Sequence, residues 1–352
     1  MRFHDPVYSA EAPLVQPRDL PSDLQHIRRP VALTGGTGFV GSHLVDTLCA
    51  AGITPRVLVR DAAAPRWIAA QKIDWVEGDL ADLDSLQRLV TGAGTVLHLA
   101  GVLRGATAGE FMAGNRDGTA HVVSAIKSAA RGARFVYVSS QAAIGPSAES
   151  TGLGPDAPLQ PISSYGRSKA AAESVVVTSD GAADWCIVRP PAVFGPRDTD
   201  VFEFFRLAAR GILAYPAGER WLTLAFVADV VKAVLAAACN GQRGTIYHVG
   251  MPHAMRMRDL LETIAEAGGV RARNLPLPPW VFKAAGAGAS ALRAAGLRRI
   301  PLSRDKATEI LARHWTLATE PSLAALGIDE TINLFDGALT SWTWYRTVGW
   351  LG

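Results

Sequence analysis

The sequence predicts an α/β protein built on a doubly wound parallel sheet, and three observations carry that prediction. A short apolar run, Val31 to Leu33, leads into Thr34-Gly35-Gly36-Thr37-Gly38-Phe39-Val40-Gly41, and a helical stretch from Ser42 to Leu48 leaves it. Further short runs rich in β-branched and apolar residues follow, as continuous runs rather than strict alternations, which is the pattern of strands buried on both faces. Between them lie stretches with helical spacing of their apolar residues.

Taken in order, Arg56 to Arg60 is the second strand, Ile73 to Glu77 the third, and Leu83 to Val90 a helix. Thr95 to Ala100 is the fourth strand, His121 to Ala130 lies in a helix, and Arg134 to Ser140 is the fifth strand. From Gly145 to Ser164 the chain is rich in Pro, Gly and Ser and reads as irregular; a helix then starts near Ser163, and Trp185 to Arg189 is the sixth strand. Beyond Asp198 helices predominate, with Thr245 to Val249 an apolar piece that returns to the sheet. The expected organisation is an irregular lead-in over 1–29, a nucleotide-binding-type core over 30–197, and a smaller, mostly helical lobe over 198–352 of which about 221–250 rejoins the core.

Composition narrows the function classes. The chain has 352 residues, 49% hydrophobic and 19% charged, with a formal net charge of +3, too small to argue for a nucleic-acid partner. Its three cysteines, Cys49, Cys186 and Cys239, have no pairing or metal-ligand spacing and read as buried small hydrophobes of a reducing cytoplasm. No apolar stretch is long enough to span a bilayer, and the N-terminus lacks a signal-peptide pattern. Residues 280–300, alanine- and glycine-rich with Arg293, Arg298 and Arg299, read either as a helix lying on a membrane surface or as an ordinary helix of the lobe. A two-fold dimer is the commonest arrangement for such chains.

In a doubly wound sheet, ligands bind outside the carboxyl ends of the strands, so residues there are candidate site residues. The glycine turn can cradle a phosphate: Gly35 takes backbone angles closed to other residues, Gly38 permits close approach, and Gly41 lets helix and strand pack. Its Gly-x-x-Gly-x-x-Gly spacing differs from the generic dinucleotide fingerprint, so a bare βα turn remains the other reading. Tyr165 and Lys169 stand one helical turn apart, where an ammonium favours the phenolate of a general acid/base; a solvated helix face is the alternative. Ser140, at the end of the fifth strand, is placed to hydrogen-bond a carbonyl oxygen.

Together these residues resemble the extended short-chain dehydrogenase/reductases, within the epimerase/dehydratase superfamily. Thr34 to Gly41, Asp79-Leu80, His98-Leu99-Ala100, Asn115 with Gly118-Thr119, Tyr137 to Ser140, Tyr165 with Lys169, Arg189-Pro190 and the closing Trp344-Tyr345-Arg346 with Gly349-Trp350-Leu351 fall in that family's order. The resemblance implies a Rossmann-type core in which Tyr165 is the acid/base, Lys169 holds the nicotinamide ribose and lowers the pKa of Tyr165, and Ser140 completes the catalytic set. It assigns the pyrophosphate to Gly35, Gly38 and Gly41 with the backbone N–H groups of Phe39 and Val40, the adenine to Asp79 and Leu80, and the dinucleotide's path to Ala100 and Gly101, with Pro190 and Val193 further cofactor contacts. Asn115 corresponds to an asparagine that supports the site; a helix cap is its other reading. At the end of the second strand, Arg60 ahead of Asp61 favours NADP over NAD.

The resemblance includes reductases, epimerases and dehydratases. Ser140-Gln141-Ala142 lacks the acid of the dehydratases, Pro191-Ala192 lacks the asparagine of the nucleotide-sugar enzymes, and Leu222-Thr223 replaces their Arg-Asp, although Arg220 is near. The expectation is therefore a reductase resembling the 3β-hydroxysteroid dehydrogenase and dihydroflavonol reductase branch, acting on a hydrophobic small molecule. A sugar epimerase with tightly held NAD is the alternative, followed by a non-catalytic cofactor sensor or assembly protein. Substrate contacts are expected from Val102 to Gly105, Ala142 to Ile144, Pro191 to Val193 and the lobe after Asp198.

Overall fold

The computed structural model describes residue 14 and residues 22–63, 67–68, 72–179, 181, 183–294 and 302–351. The first half is a run of βα units: β1 (Val31–Thr34), α1 (Phe39–Ala50), β2 (Arg56–Val59), β3 (Asp74–Glu77), α2 (Leu83–Val90), β4 (Thr95–His98), α3 (Ala108–Phe111), α4 (Gly118–Ala129), β5 (Arg134–Val138), α5 (Ser164–Val177) and β6 (Asp184–Arg189). The second half contains β7 (Ala192–Phe194), α6 (Phe202–Ala209), β8 (Ile212–Pro216), β9 (Trp221–Leu222), β10 (Leu224–Phe226), α7 (Val227–Asn240), β11 (Thr245–His248), β12 (Met255–Arg256), α8 (Met257–Ala267), β13 (Arg273–Leu277), α9 (Pro279–Ala294), α10 (Arg304–Leu311), β14 (His314–Trp315), α11 (Glu320–Ala325) and α12 (Leu334–Thr347).

The main sheet has seven strands in the order β11-β6-β5-β4-β1-β2-β3, every pair parallel. Strand side chains alternate between two cores, which explains the unbroken apolar runs. Val31, Leu33, Val57, Leu97, Val136 and Val188 join α1 and α7 on one face. Ala32, Leu58, Val76, Val96, Phe135 and Ile187 join α2, α4 and α5 on the other. The strand order reverses between β1 and β4, and the crevice there is where such sheets bind ligands.

The lobe is built from α6, α8 to α10 and three small strand groups: β7 with β10, β8 with β13, and β9 between β12 and β14. The closing aromatic motif ties the chain's end to the core. Tyr345 Oη donates to Gly195 O at 2.9 Å, its ring stacks on Trp350 at 5.7 Å, and Trp350 meets Trp67 at 5.8 Å. These large rings bury much apolar surface where the two halves of the sequence meet.

Several sequence expectations need correction. The helix expected from Ser42 begins at Phe39, and the strands expected to reach Ala100 and Ser140 leave the ladder at His98 and Val138. In each case the residues between are the ones that line the crevice, so local apolar patterning overruns the hydrogen-bonded strand. The lead-in is not wholly irregular: Ser22–His26 forms a 3₁₀ turn, and Leu24 and Ile27, 5% and 3% exposed, belong to the core. Its residues 1–13 and 15–21 lie outside the described residues, as do 295–300 of the 280–300 segment. Of the cysteines only Cys186 is buried; Cys49 and Cys239 are half-buried. On α9, Gly286 faces α10 so closely that a Cβ would lie 2.8 Å from Ala307 Cβ. One face of that helix is therefore an ordinary packing face, and the glycine at 286 is explained by that approach. Among the described residues no helix is long and apolar enough to cross a membrane.

Candidate active site

The ends of the parallel strands and the lobe enclose one cavity of about 1650 Å³, above the ~300–1000 Å³ of a usual small-molecule pocket and large enough for two ligands. Every residue singled out from the sequence for cofactor or catalysis lines it: Gly35, Gly38, Phe39, Val40, Gly41, Arg60, Asp79, Leu80, Ala100, Gly101, Ser140, Tyr165, Lys169, Pro190 and Val193.

At the floor, Gly35 has φ +77°, and a Cβ on it would lie 2.6 Å from Ala100 N. A Cβ on Gly41 would lie 2.1 Å from Gly35 O. Both positions therefore demand glycine, for close approach of turn, strand and helix. Helix α1 has no side-chain cap at Gly38, so its N-terminal N–H groups open on the cavity with the partial positive charge of the helix end. This is a fit for a pyrophosphate.

At the tip of β2, Arg60 and Asp61 are both exposed. Both line the cavity, and Asp61 Oδ1 also accepts from Ala63 N at 2.9 Å, so that oxygen is engaged in its own turn. Asp79 Oδ1 likewise accepts from Ala81 N at 2.7 Å. Beneath Ala100, Thr34 Oγ1 meets His98 Nδ1 at 2.6 Å, and His98 Nε2 meets Thr119 Oγ1 at 3.0 Å. Burial, with the Lys169 charge nearby, holds His98 down to about 3, so it is neutral.

Asn115 does not cap a helix. It sits in a wide π-type turn, Met112–Asp117, between α3 and α4. Its Oδ1 accepts from Val102 N at 2.7 Å, and its Nδ2 donates to Val102 O at 3.1 Å and Ser168 Oγ at 2.8 Å. One side chain thereby ties the loop after β4 to the helix carrying Tyr165 and Lys169.

Ser140 caps a 3₁₀ turn, its Oγ accepting from Ala142 N at 3.2 Å, and its hydroxyl lies close enough to Tyr165 to act on the phenol. The neighbouring Ser139 hydroxyl is committed elsewhere, donating to Glu173 Oε1 at 2.5 Å. Glu173 also pairs with Arg189, Nε–Oε1 2.8 Å and Nη2–Oε2 2.6 Å, beneath the site. Lys169 Nζ donates to Val138 O at 2.8 Å and lies 4.4 Å above the Tyr137 ring. Burial lowers Lys169 to about 7, opposed by Glu173. The expected lowering of Tyr165 by Lys169 is not found. Burial dominates and pushes the phenol up, the Ser140 hydroxyl pulls it down, and the Glu309 and Asp200 carboxylates push it up further.

Of the expected substrate segments, Val102, Leu103, Arg104, Ala142, Pro191, Ala192 and Val193 line the cavity. Ala143 and Ile144 instead are buried, and Gly105 packs on Phe111. Arg220 donates to Ala217 O and Gly218 O at 2.9 and 3.2 Å and is not part of the lining. The lobe after Asp198 is expected to contribute, but sequence reading names none of the residues that do so: Phe204, Leu207, Met257, Leu260, Leu277, Phe282 and Trp315 form an apolar wall, with Lys306 and Glu309 beside it. No local motif marks these positions, because separate lobe elements bring them together. Arg104, from the loop after β4, pairs with Asp200 and donates to Thr199 Oγ1 at 3.0 Å, spanning the cleft between core and lobe.

With fold and crevice in view, the chain belongs to the NAD dependent epimerase/dehydratase family, whose pattern it matches over residues 31–250. It is an enzyme of the extended short-chain dehydrogenase/reductase type. A ceramide reductase of Caulobacter vibrioides (strain NA1000 / CB15N) is 33% identical over 327 residues, 92% of this chain and 96% of that protein. A farnesyl-dihydroquinoline-oxide ketoreductase of Stigmatella aurantiaca is 29% identical over 305 residues, covering 84% and 90%. Among solved structures, MoeE5 in complex with UDP-glucose and NAD has a TM-score of 0.72 at 24% identity, covering 91% of this chain and 99% of that one. The chain thus has the fold and relatives of enzymes doing nicotinamide-dependent redox chemistry on small molecules.

Proposed function

We propose that this protein is a ketone reductase that uses a nicotinamide dinucleotide, with NADPH preferred, to interconvert a ketone and a secondary alcohol on a large hydrophobic molecule. The observation that carries the reading is that Ser140 and Tyr165 line one cavity whose far wall is apolar. The glycine turn and the uncapped end of α1 fit the pyrophosphate, and Arg60 fits a 2′-phosphate. When bound, the reduced dinucleotide supplies the hydride for the carbonyl carbon.

The chain's own residues manage the oxygen. Tyr165 Oη gives its proton to the carbonyl oxygen as negative charge develops there, and Ser140 Oγ donates a hydrogen bond to the same oxygen. Tyr165 enters the step protonated, as a phenol is at neutral pH, and because burial holds it up it needs a nearby positive charge to become a better acid. Lys169, reaching Val138 O from the same helix face, is placed beside the path of the dinucleotide and, when charged, favours the phenolate that Tyr165 leaves behind. The apolar wall excludes water and accommodates an apolar substrate. Arg220, turned back on its own turn, is not poised to grip a diphosphate, which supports a reductase over a nucleotide-sugar epimerase.

The test is NADPH oxidation by the purified protein against a panel of long-chain, steroidal and aromatic ketones, repeated with Tyr165→Phe. Turnover of a hydrophobic ketone that depends on Tyr165 is expected. Dinucleotide that stays bound through purification, with sugar-nucleotide interconversion and no net NADPH oxidation, would point to the epimerase instead.

A further inference from the structure

The cavity is not apolar throughout. Beside Tyr165, the N-terminus of α5 is clasped by α10: Ser163 Oγ donates to Glu309 Oε1 at 2.7 Å, and Ser164 N donates to Asp305 Oδ2 at 2.6 Å. Glu309, 9% exposed, also accepts from Lys306 Nζ at 3.3 Å. Lys306 touches the clasp only through Glu309. Its side chain is half exposed to the cavity, and an ammonium has three donors, of which the described residues take one. Asp198 and Asp200 lie close enough to act on Lys306 as well. Asp200 is already paired with Arg104, and Asp198 accepts three backbone N–H groups at the start of α6.

Charge balance defines what fits such a cluster. Carboxylates match or outnumber the cations, so an anionic head such as a phosphate meets repulsion. A neutral group that both donates and accepts, a hydroxyl or an amide, satisfies Lys306 and Glu309 together. The apolar wall from Phe204, Leu207, Met257, Leu260, Leu277 and Phe282 then takes a long hydrocarbon chain.

Building on the ketone-reductase reading, we propose that Lys306 and Glu309 form a head-group subsite, and that the substrate is an amphiphile: a long-chain ketone with an uncharged hydroxyl or amide a few atoms from the carbonyl. A plain ketone offers nothing to the two remaining donors of Lys306, which is how polar sites reject apolar analogues.

The experiment compares 1-hydroxyoctadecan-3-one with octadecan-3-one in detergent micelles, by NADPH oxidation. Wild type is expected to favour the hydroxylated ketone by about tenfold or more in kcat/KM, as befits one charge-assisted hydrogen bond. Lys306→Met should erase most of that ratio and Lys306→Arg should keep much of it. Because the readout is a ratio within one protein, loss of folded material does not imitate it. Equal efficiency on both ketones in wild type, or an unchanged ratio in Lys306→Met, overturns the subsite and leaves the ketone-reductase reading standing. No Tyr165-dependent reduction of either ketone overturns both.

Discussion

Ser140 and Tyr165 line the same cavity and lie close enough to act on each other, although one follows a strand and the other lies on a helix. Strand β5 stops at Val138, so Ser140 is free to turn into the crevice, while Ser163 caps α5 and presents Tyr165 in its first turn. If this pair handles the proton, Tyr165→Phe should lower kcat by about 10²–10⁴-fold, the usual worth of a positioned general acid. Ser140→Ala should cost about 10²-fold as a lost oxyanion donor. Dinucleotide affinity, followed by NADPH fluorescence, should change little in either variant; a matching collapse of that affinity would mean that the pair is structural.

Arg60 tests the dinucleotide. It is exposed at the β2 tip and lines the cavity beside Asp61, one carboxylate oxygen of which is held by its own turn. Arg60→Ala should weaken NADPH binding by about 10–100-fold, the scale of one charge-assisted contact to a phosphate, and leave NADH nearly unaffected. Titration of both nucleotides by fluorescence checks it, and equal losses for the two would remove the 2′-phosphate role.

Beneath the site, Arg189 and Glu173 are an ion pair with side chains each 2% exposed. Glu173→Gln leaves the guanidinium buried without its counter-charge and should destabilise the fold by about 3–5 kcal/mol. Urea denaturation reads this directly. A loss under about 1 kcal/mol would show the guanidinium finding other acceptors, of which Pro155 O at 2.8 Å is the nearest in hand.

Asp198 sets a pH dependence. Burial, reinforced by Asp200, raises its carboxyl to about 7 although it accepts three backbone N–H groups. Its folded value lies above the unfolded one, so the folded state holds a proton that the unfolded state has released. Its favourable contribution is present below about pH 4 and is lost as pH rises through 7. Asp198→Asn removes that titration and keeps an acceptor for the turn. The stability of the variant relative to wild type should therefore improve from pH 5 to pH 8, by on the order of 2–4 kcal/mol, and level off above that. Paired urea midpoints at several pH values provide the check; a difference that stays flat with pH would refute it.

The sequence by itself determined the parallel core, the glycine turn and the residues along its strand ends. Strands buried on both faces must be apolar throughout, and a turn that brings Gly35 against Ala100 and Gly41 against Gly35 can be made only of glycine. Those are local constraints, and they leave local marks. Spacing also showed that Tyr165 and Lys169 share a helix face, but not where Lys169 points: its reach to Val138 O depends on the strand packed alongside. Only the tertiary structure decided the lobe side. Lys306, Glu309 and Phe204 carry no motif, and Asn115 works through a widened helical turn that periodicity cannot reveal. Their meaning comes from being gathered over the same strand ends by elements far apart in the chain, which is a property of packing rather than of any short stretch.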